Sequence, residues 1–169
     1  NFFPSIQNML SKKHREVIGD AHFAMAFFNL YEIYGNTNHL KRGEDFLNCM
    51  KEYSTKGYSG YCWGYSFGWQ TYTGYWESGI PLITITPYAF WAFKKHYEIT
   101  NSDESKEIVL SIAKFALKDL QEITMPNGTK CASYSPVSKD IVINANTYRA
   151  AILFEAYQIN KNEDYKKTA

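Results

Sequence analysis

Phe27-Phe28-Asn29-Leu30-Tyr31-Glu32-Ile33 returns as Phe93-Lys94-Lys95-His96-Tyr97-Glu98-Ile99 and again as Phe154-Glu155-Ala156-Tyr157-Gln158-Ile159. Aligned on the tyrosine, the offsets are 97 − 31 = 66 and 157 − 97 = 60. Self-similarity of this kind marks a repeat architecture, in which each unit buries its apolar face against the next. Each copy runs into a polar turn: Gly35-Asn36-Thr37-Asn38, Asn101-Ser102-Asp103 and Asn160-Lys161-Asn162. Beyond the first turn, Leu40, Gly43, Phe46, Leu47 and Met50 fall at helical spacing. Beyond the second, Leu110, Ala113, Ala116, Leu117 and Leu120 do the same, at 110 − 40 = 70. This periodicity predicts amphipathic helices paired as hairpins.

The connections between hairpins repeat as well. Cys62-Trp63-Gly64-Tyr65-Ser66 matches Cys131-Ala132-Ser133-Tyr134-Ser135 at 131 − 62 = 69. Each is followed by a polar stretch, Thr84-Ile85-Thr86-Pro87-Tyr88 and Asn144-Ala145-Asn146-Thr147-Tyr148. Thr and Asn are expected there as helix N-caps, with Pro87 at the first helical position. The chain of 169 residues reads as one domain. The expected fold is all-α, an (α/α) toroid segment of repeated helical hairpins over 17–53, 84–122 and 144–169. The loops are 54–83 and 123–143. A closed toroid takes about six hairpins, and this chain supplies about two and a half. The expected partner is therefore the remainder of the toroid, as a missing N-terminal half or a second subunit.

Composition excludes several classes. A formal net charge of +1 gives no field to gather nucleic acid or an anionic membrane surface. No apolar run approaches the roughly 20 residues of a membrane span. Three cysteines without a scaffold spacing predict reduced thiols and a cytoplasmic location. The opening Asn1-Phe2-Phe3-Pro4, without Met, leaves room for a removed leader or further N-terminal chain. Aromatic residues make up 17%, more than helix cores account for, because many of them crowd one loop. That loop holds Tyr58, Tyr61, Trp63, Tyr65, Phe67, Trp69, Tyr72, Tyr75 and Trp76.

The stretch Gly57-Tyr58-Ser59-Gly60-Tyr61-Cys62-Trp63-Gly64-Tyr65-Ser66-Phe67-Gly68-Trp69-Gln70 resembles a signature of bacterial proteins from polysaccharide-biosynthesis clusters. These belong to the terpenoid-cyclase/prenyltransferase-like α/α-toroid superfamily. Ile80-Pro81-Leu82-Ile83-Thr84, the segment from Cys131 to Pro136 and that from Val142 to Asn146 resemble later parts of the same family. The resemblance implies a chain about twice as long, of which this is the C-terminal part, and a role in surface-polysaccharide metabolism. Family members are often labelled delta-aminolevulinic acid dehydratase. That enzyme is a TIM barrel with a Schiff-base lysine, and nothing here alternates strand with helix. Gly68 stands where the family pattern implies Asp.

Rings with polar edges stack on sugar faces and reach sugar hydroxyls. The candidate ligand-binding residues are accordingly Trp63, Tyr65, Phe67, Trp69, Gln70, Trp76 and Glu77, with Asn144 and Arg149 as neutralisers of a sugar carboxylate. The Cys-x-x-Tyr-Ser core is shared by both loops and reads as structural. The aromatic excess around Trp63 and Trp69 is unshared and reads as facing ligand. Asp20, Thr86 and Asn146 occupy matched helix starts, with His22, Tyr88 and Tyr148 two residues on. On a toroid these converge on the axis. A lyase or epimerase acting on uronic acids needs a base, for which His22, Tyr65 and Tyr134 are candidates, with Asp20 and Asn146 beside them. A hydrolase needs two carboxylates, and the loops offer Asp20, Glu77 and Asp140.

Three readings stay open at this stage. One is a protein that binds or modifies an oligosaccharide or polysaccharide at the aromatic mouth, with no cofactor. The second is a non-catalytic scaffold module of a polysaccharide assembly system. The third is a zinc enzyme, with Cys62, Cys131 and His22 as ligands and one position open. Tyr61-Cys62-Trp63-Gly64 is similar to loops of the lanthionine cyclases, which use such a site on a similar toroid. The Cys-His-Gly motif expected with it is absent, and a small buried thiol is the plainer role for each cysteine.

Overall fold

The computed structural model describes residues 14–71 and 74–169. Tyr72 and the opening Asn1-Phe2-Phe3-Pro4, singled out above, lie outside them. Among the described residues, six helices form three successive hairpins: α1 (Val17–Tyr34) with α2 (Thr37–Glu52), α3 (Thr86–Thr100) with α4 (Asp103–Lys118), and α5 (Ile143–Asn160) with the short α6 (Glu163–Thr168). α1 packs on both α2 and α3, and α3 packs on α4 and also touches α5. The helices α1, α3 and α5 thus make an inner row, and α2, α4 and α6 an outer one.

The hairpin turns explain why the tyrosine was the right residue for alignment. Each inner helix ends on a left-handed residue: Gly35 at φ 64°, Asn101 at φ 55° and Lys161 at φ 56°. The N–H of each donates to the carbonyl of Tyr31, Tyr97 or Tyr157, all at 2.8 Å. The next residue in each case caps the outer helix. Asn36, Ser102 and Asn162 accept from Asn38 N, Ser105 N and Asp164 N. A left-handed C-cap followed at once by a side-chain N-cap satisfies the orphan groups of both helices.

The core lies between the two rows. α1 sends in Val17, Ala21, Ala24 and Phe28 at helical spacing, and α4 sends in Ile108, Val109, Ile112, Phe115 and Ala116. α3 is covered on two sides and buries seven residues, from Thr86 to His96. Its successive lysines reach both inner neighbours. Lys95 Nζ pairs with Glu32 of α1 at 2.6 Å and Lys94 Nζ with Glu155 of α5 at 3.4 Å.

Two features depart from the sequence expectation. First, the loops are not plain coil. Trp69–Thr71 (β1) pairs antiparallel with Gly74–Trp76 (β2), and Glu122–Thr124 (β3) with Lys130–Ala132 (β4). Second, Thr86 and Asn146 do not cap their helices. α3 follows Ile85 and α5 follows Val142, neither with a side-chain cap, so Thr86 and Asn146 lie inside the first turns. Their side chains hold the repeated loop instead. Thr86 Oγ1 accepts from Trp63 N at 3.1 Å, and Asn146 Oδ1 accepts from Ala132 N at 2.6 Å. Trp63 and Ala132 are the residues directly after the repeated cysteines, so this is one tie used twice. Asn146→Ala strands the Ala132 N–H, and a buried unpaired donor costs about 1–3 kcal/mol. Chemical denaturation of this variant is expected to show a loss in that range, and an unchanged midpoint would show that the tie carries no weight.

Candidate functional site

The two loops and the starts of the inner helices meet at one end of the inner row. Five rings run along this mouth. Phe67 stacks on Tyr65 at 5.1 Å, and Tyr65 meets Trp69 edge-on at 4.4 Å. Trp69 tilts against Trp76 at 6.1 Å, and Trp76 meets Tyr134 edge-on at 5.9 Å. Thr84 Oγ1 donates to the Tyr134 hydroxyl at 3.1 Å, which fixes the far end of the wall to the start of α3. The hairpin β1–β2 exists to present two of these rings, since Trp69 and Trp76 are register partners on it. A cavity of about 310 Å³ opens beside the pair, lined by Trp69, Thr71, Trp76, Tyr134, Asp140, Ile141 and Val142.

A second row lies on the inner helices themselves. His22, Tyr88 and Tyr148, at matched positions of the three repeats, are brought together. The His22 ring meets Tyr88 edge-on at 5.3 Å, and Tyr88 tilts against Tyr148 at 6.4 Å. Hydrogen bonding with Tyr148 is the main cause that raises the Tyr88 pKa, and Tyr65 adds to it through its charge. His22 is exposed near the start of α1, and Asn144 is exposed as the second residue of α5.

Several candidate residues are placed elsewhere. Trp63 is 1% exposed, so no ligand reaches it. Its indole N–H donates to Met50 O at 2.9 Å, inside the core. Trp63, expected to face ligand, is core, whereas Tyr65 and Tyr134, although part of the shared loop motif, lie in the aromatic wall. Arg149 is buried, and its Nε donates to Ala116 O at 2.9 Å, closing the end of α4. Burial lowers its pKa. Its Nε is thus engaged with the fold rather than turned to the aromatic wall. Asp20 is likewise buried. Arg15 grips both its oxygens at 2.9 Å and the Tyr53 hydroxyl donates to it at 2.8 Å. Burial and then the Asp20 contact raise the Tyr53 pKa. Burial is also the main cause raising the pKa of Tyr65, which keeps its hydroxyl protonated and so less available as a base at neutral pH. Glu77 is exposed beside Trp69 and Trp76, and Gln70 turns back to Thr71 O at 3.0 Å. At Gly68, a Cβ would lie 2.0 Å from the Tyr75 hydroxyl. The space an Asp would need is occupied by that ring.

Among the described residues, no three of His, Cys, Asp and Glu come together as metal ligands. Cys62 is fully buried against Thr55 O, and burial pushes its pKa up to about 12. Cys131 sits on β4, opposite Ile123. The Cys62 thiolate forms only as pH rises toward that value, so the thiol stays unreactive at neutral pH. Iodoacetamide at pH 8 is expected to spare Cys62 in the native protein and to label it after denaturation. Mass mapping that finds native Cys62 labelled as fast as Cys131 would contradict this placement.

Sequence reasoning missed one polar cluster. His96 Nδ1 lies 2.7 Å from Ser105 Oγ and its Nε2 3.1 Å from Glu44 Oε1. The order of groups is that of a hydrolytic triad, but the exposure is inverted. Ser105 is 3% exposed while the Glu44 side chain is 41% exposed. A nucleophile must face substrate and its acid should be shielded, so this cluster is a strut joining α2, α3 and α4. The signal was present, since the matched positions are Leu30 and Ala156, which are apolar.

Three like hairpins with inner and outer rows and one aromatic mouth define a segment of an (α/α) toroid. Two solved structures share this fold. One is a family 76 glycoside hydrolase from a bovine Bacteroides thetaiotaomicron strain, with TM-score 0.62 and 14% identity. The match covers 94% of this chain and 34% of that one. The other is a glycoside hydrolase family 76 (mannosidase) protein from Bacteroides thetaiotaomicron VPI-5482, with TM-score 0.60 and 13% identity. It is matched over 94% of this chain and 43% of its own. This chain thus spans well under half the length of the structures it resembles. No protein-family model matches the sequence, and no curated protein matches it. Among the described residues no helix is long and apolar enough to cross a membrane.

Proposed function

We propose that this chain forms one wall of a saccharide-binding site in an α/α-toroid protein of bacterial surface-polysaccharide metabolism. The observation that carries the reading is the line of five rings from Phe67 to Tyr134, open beside Trp69 and Trp76. Stacked, half-buried rings with polar edges suit the apolar faces and hydroxyl rims of sugars. The names of the two structures that share the fold, both glycoside hydrolases, support it.

For this chain alone we favour binding over turnover. Asp20 is tied to Arg15 and Tyr53, Arg149 to Ala116, and position 68 carries no side chain. The remainder of the toroid supplies whatever chemistry follows. Mannotriose is expected to quench tryptophan fluorescence saturably, with no release of reducing sugar. Trp76→Ala is expected to weaken that binding about tenfold or more, since aromatic anchors carry roughly 2 kcal/mol or more at binding sites. Equal affinity in Trp76→Ala would remove the wall from the site. Turnover that disappears in His22→Ala would instead make the chain an enzyme in its own right.

A further inference from the structure

We propose that the cavity between the β1–β2 hairpin and the loop before α5 selects a cationic sugar, a hexosamine with a free ammonium group. This deepens the saccharide reading above and rests on it. Trp69, Trp76 and Tyr134 surround the cavity, and Asp140 is the charged residue in its lining. On the other side of the same tryptophan pair stands Glu77, close to Tyr65 and Phe67. Among the described residues, neither carboxylate has a hydrogen-bond or ion-pair partner. Among the described residues no lysine or arginine lines the cavity or lies in the Glu77 cluster, Lys139 included. Arg15, at the mouth, is already gripped by Asp20. Ring faces attract an ammonium group through their quadrupoles, and a carboxylate beside them adds charge complementarity. A uronic acid meets repulsion from the same groups.

An independent sign that the site awaits a ligand is the indole nitrogen of Trp69. It is buried and without a hydrogen-bond partner among the described residues. Unpaired buried donors are uncommon and unfavourable. A sugar brings hydroxyl acceptors as well as its ammonium, so an amino sugar seated against the rings complements the carboxylates and carries acceptors to the side of Trp69.

The test uses the chain and five probes in calorimetry and tryptophan fluorescence. They are glucosamine trimer, its fully N-acetylated form, mannotriose, galacturonic acid trimer and tetramethylammonium. Glucosamine trimer is expected to bind at least tenfold tighter than mannotriose or the acetylated trimer, with the margin shrinking as salt rises. Asp140→Asn should abolish the margin and Glu77→Gln reduce it. Both positions are exposed, and circular dichroism confirms that each variant is folded. A glucosamine trimer no tighter than mannotriose overturns the cationic preference and leaves the saccharide reading in place. So does tightest binding of galacturonic acid trimer. If tetramethylammonium quenches the wild type but not Asp140→Asn while no sugar binds, the cation cavity stands and the saccharide reading falls. Silence from all five probes overturns both.

Discussion

Trp63→Ala is expected to cost about 3–5 kcal/mol of stability, the range for emptying a buried aromatic site. The ring is 1% exposed and stacks on Tyr61 at 6.0 Å, and its N–H is bonded to Met50 O. Truncation leaves a cavity and an unpaired carbonyl at the end of α2. A domain of this kind holds about 5–15 kcal/mol in total, so roughly a fifth of the margin or more goes. Differential scanning calorimetry should show the midpoint falling by on the order of 10 °C. Trp69→Ala serves as the contrast. That ring is half-exposed on a two-stranded hairpin, so its loss should leave the midpoint nearly unmoved while ligand binding fails. If the two variants melt alike, the division between a core tryptophan and a ligand-facing one is wrong.

Gly60→Ala is the second large effect. The loop presses against α4 so closely that a Cβ here would lie 1.8 Å from the Ser111 carbonyl oxygen and 3.1 Å from Phe115 N. Both obstacles are backbone, so no rotamer change relieves them. Ser59, next door, donates from its N–H at 2.9 Å and from its hydroxyl at 2.5 Å to Asp119. Forcing the loop off α4 therefore breaks these bonds as well as the packing of Tyr58 on Phe115. Overpacking costs about 1–3 kcal/mol by itself, and the lost bonds add to it. Ser111→Ala is expected to rescue nothing, because the obstacle is the carbonyl. At Gly68 the obstacle is the Tyr75 hydroxyl, so Gly68→Ala should be mild and relieved further by Tyr75→Ala. Native-state hydrogen exchange at Gly57 to Tyr61 reads the difference. Unchanged protection there in Gly60→Ala would mean that the loop has room to move.

The repeat was legible because helices and their turns are local. The tyrosine that aligned the copies marks the carbonyl taken by each left-handed cap, a relation fixed within four residues. The matched offsets also brought His22, Tyr88 and Tyr148 to one face, since three like helices in a row place like positions side by side. What stayed hidden depends on distant partners. Trp63 and Trp69 look alike in a run of alternating rings, and the Met50 carbonyl on α2 decides between them. The matched residue of the other loop, Ala132, is also fully buried, which shows that position 63 belongs to the interior in both copies. Thr86 and Asn146 have the residue types of caps, and their use as loop ties follows from where the loops cross. Strands of three residues are too short for alternation to announce them.

The three identical hairpin turns have a consequence for how such a protein changes over time. The spacing between copies differs by six residues, 66 against 60, yet every turn keeps the same cap pair and the same bond to tyrosine. The difference arises at the opposite pole, where the second loop, 119–142, is nine residues shorter than the first, 53–85, and α5 begins three residues earlier in its repeat than α3. One pole is a fixed hinge plate on which new copies can be stamped by duplication. The other is free to lengthen, shorten and be rewritten. Grafting a foreign loop onto the aromatic pole should leave the assembly of the hairpins intact, whereas inserting even one residue at Gly35, Asn101 or Lys161 attacks the element that all three units share.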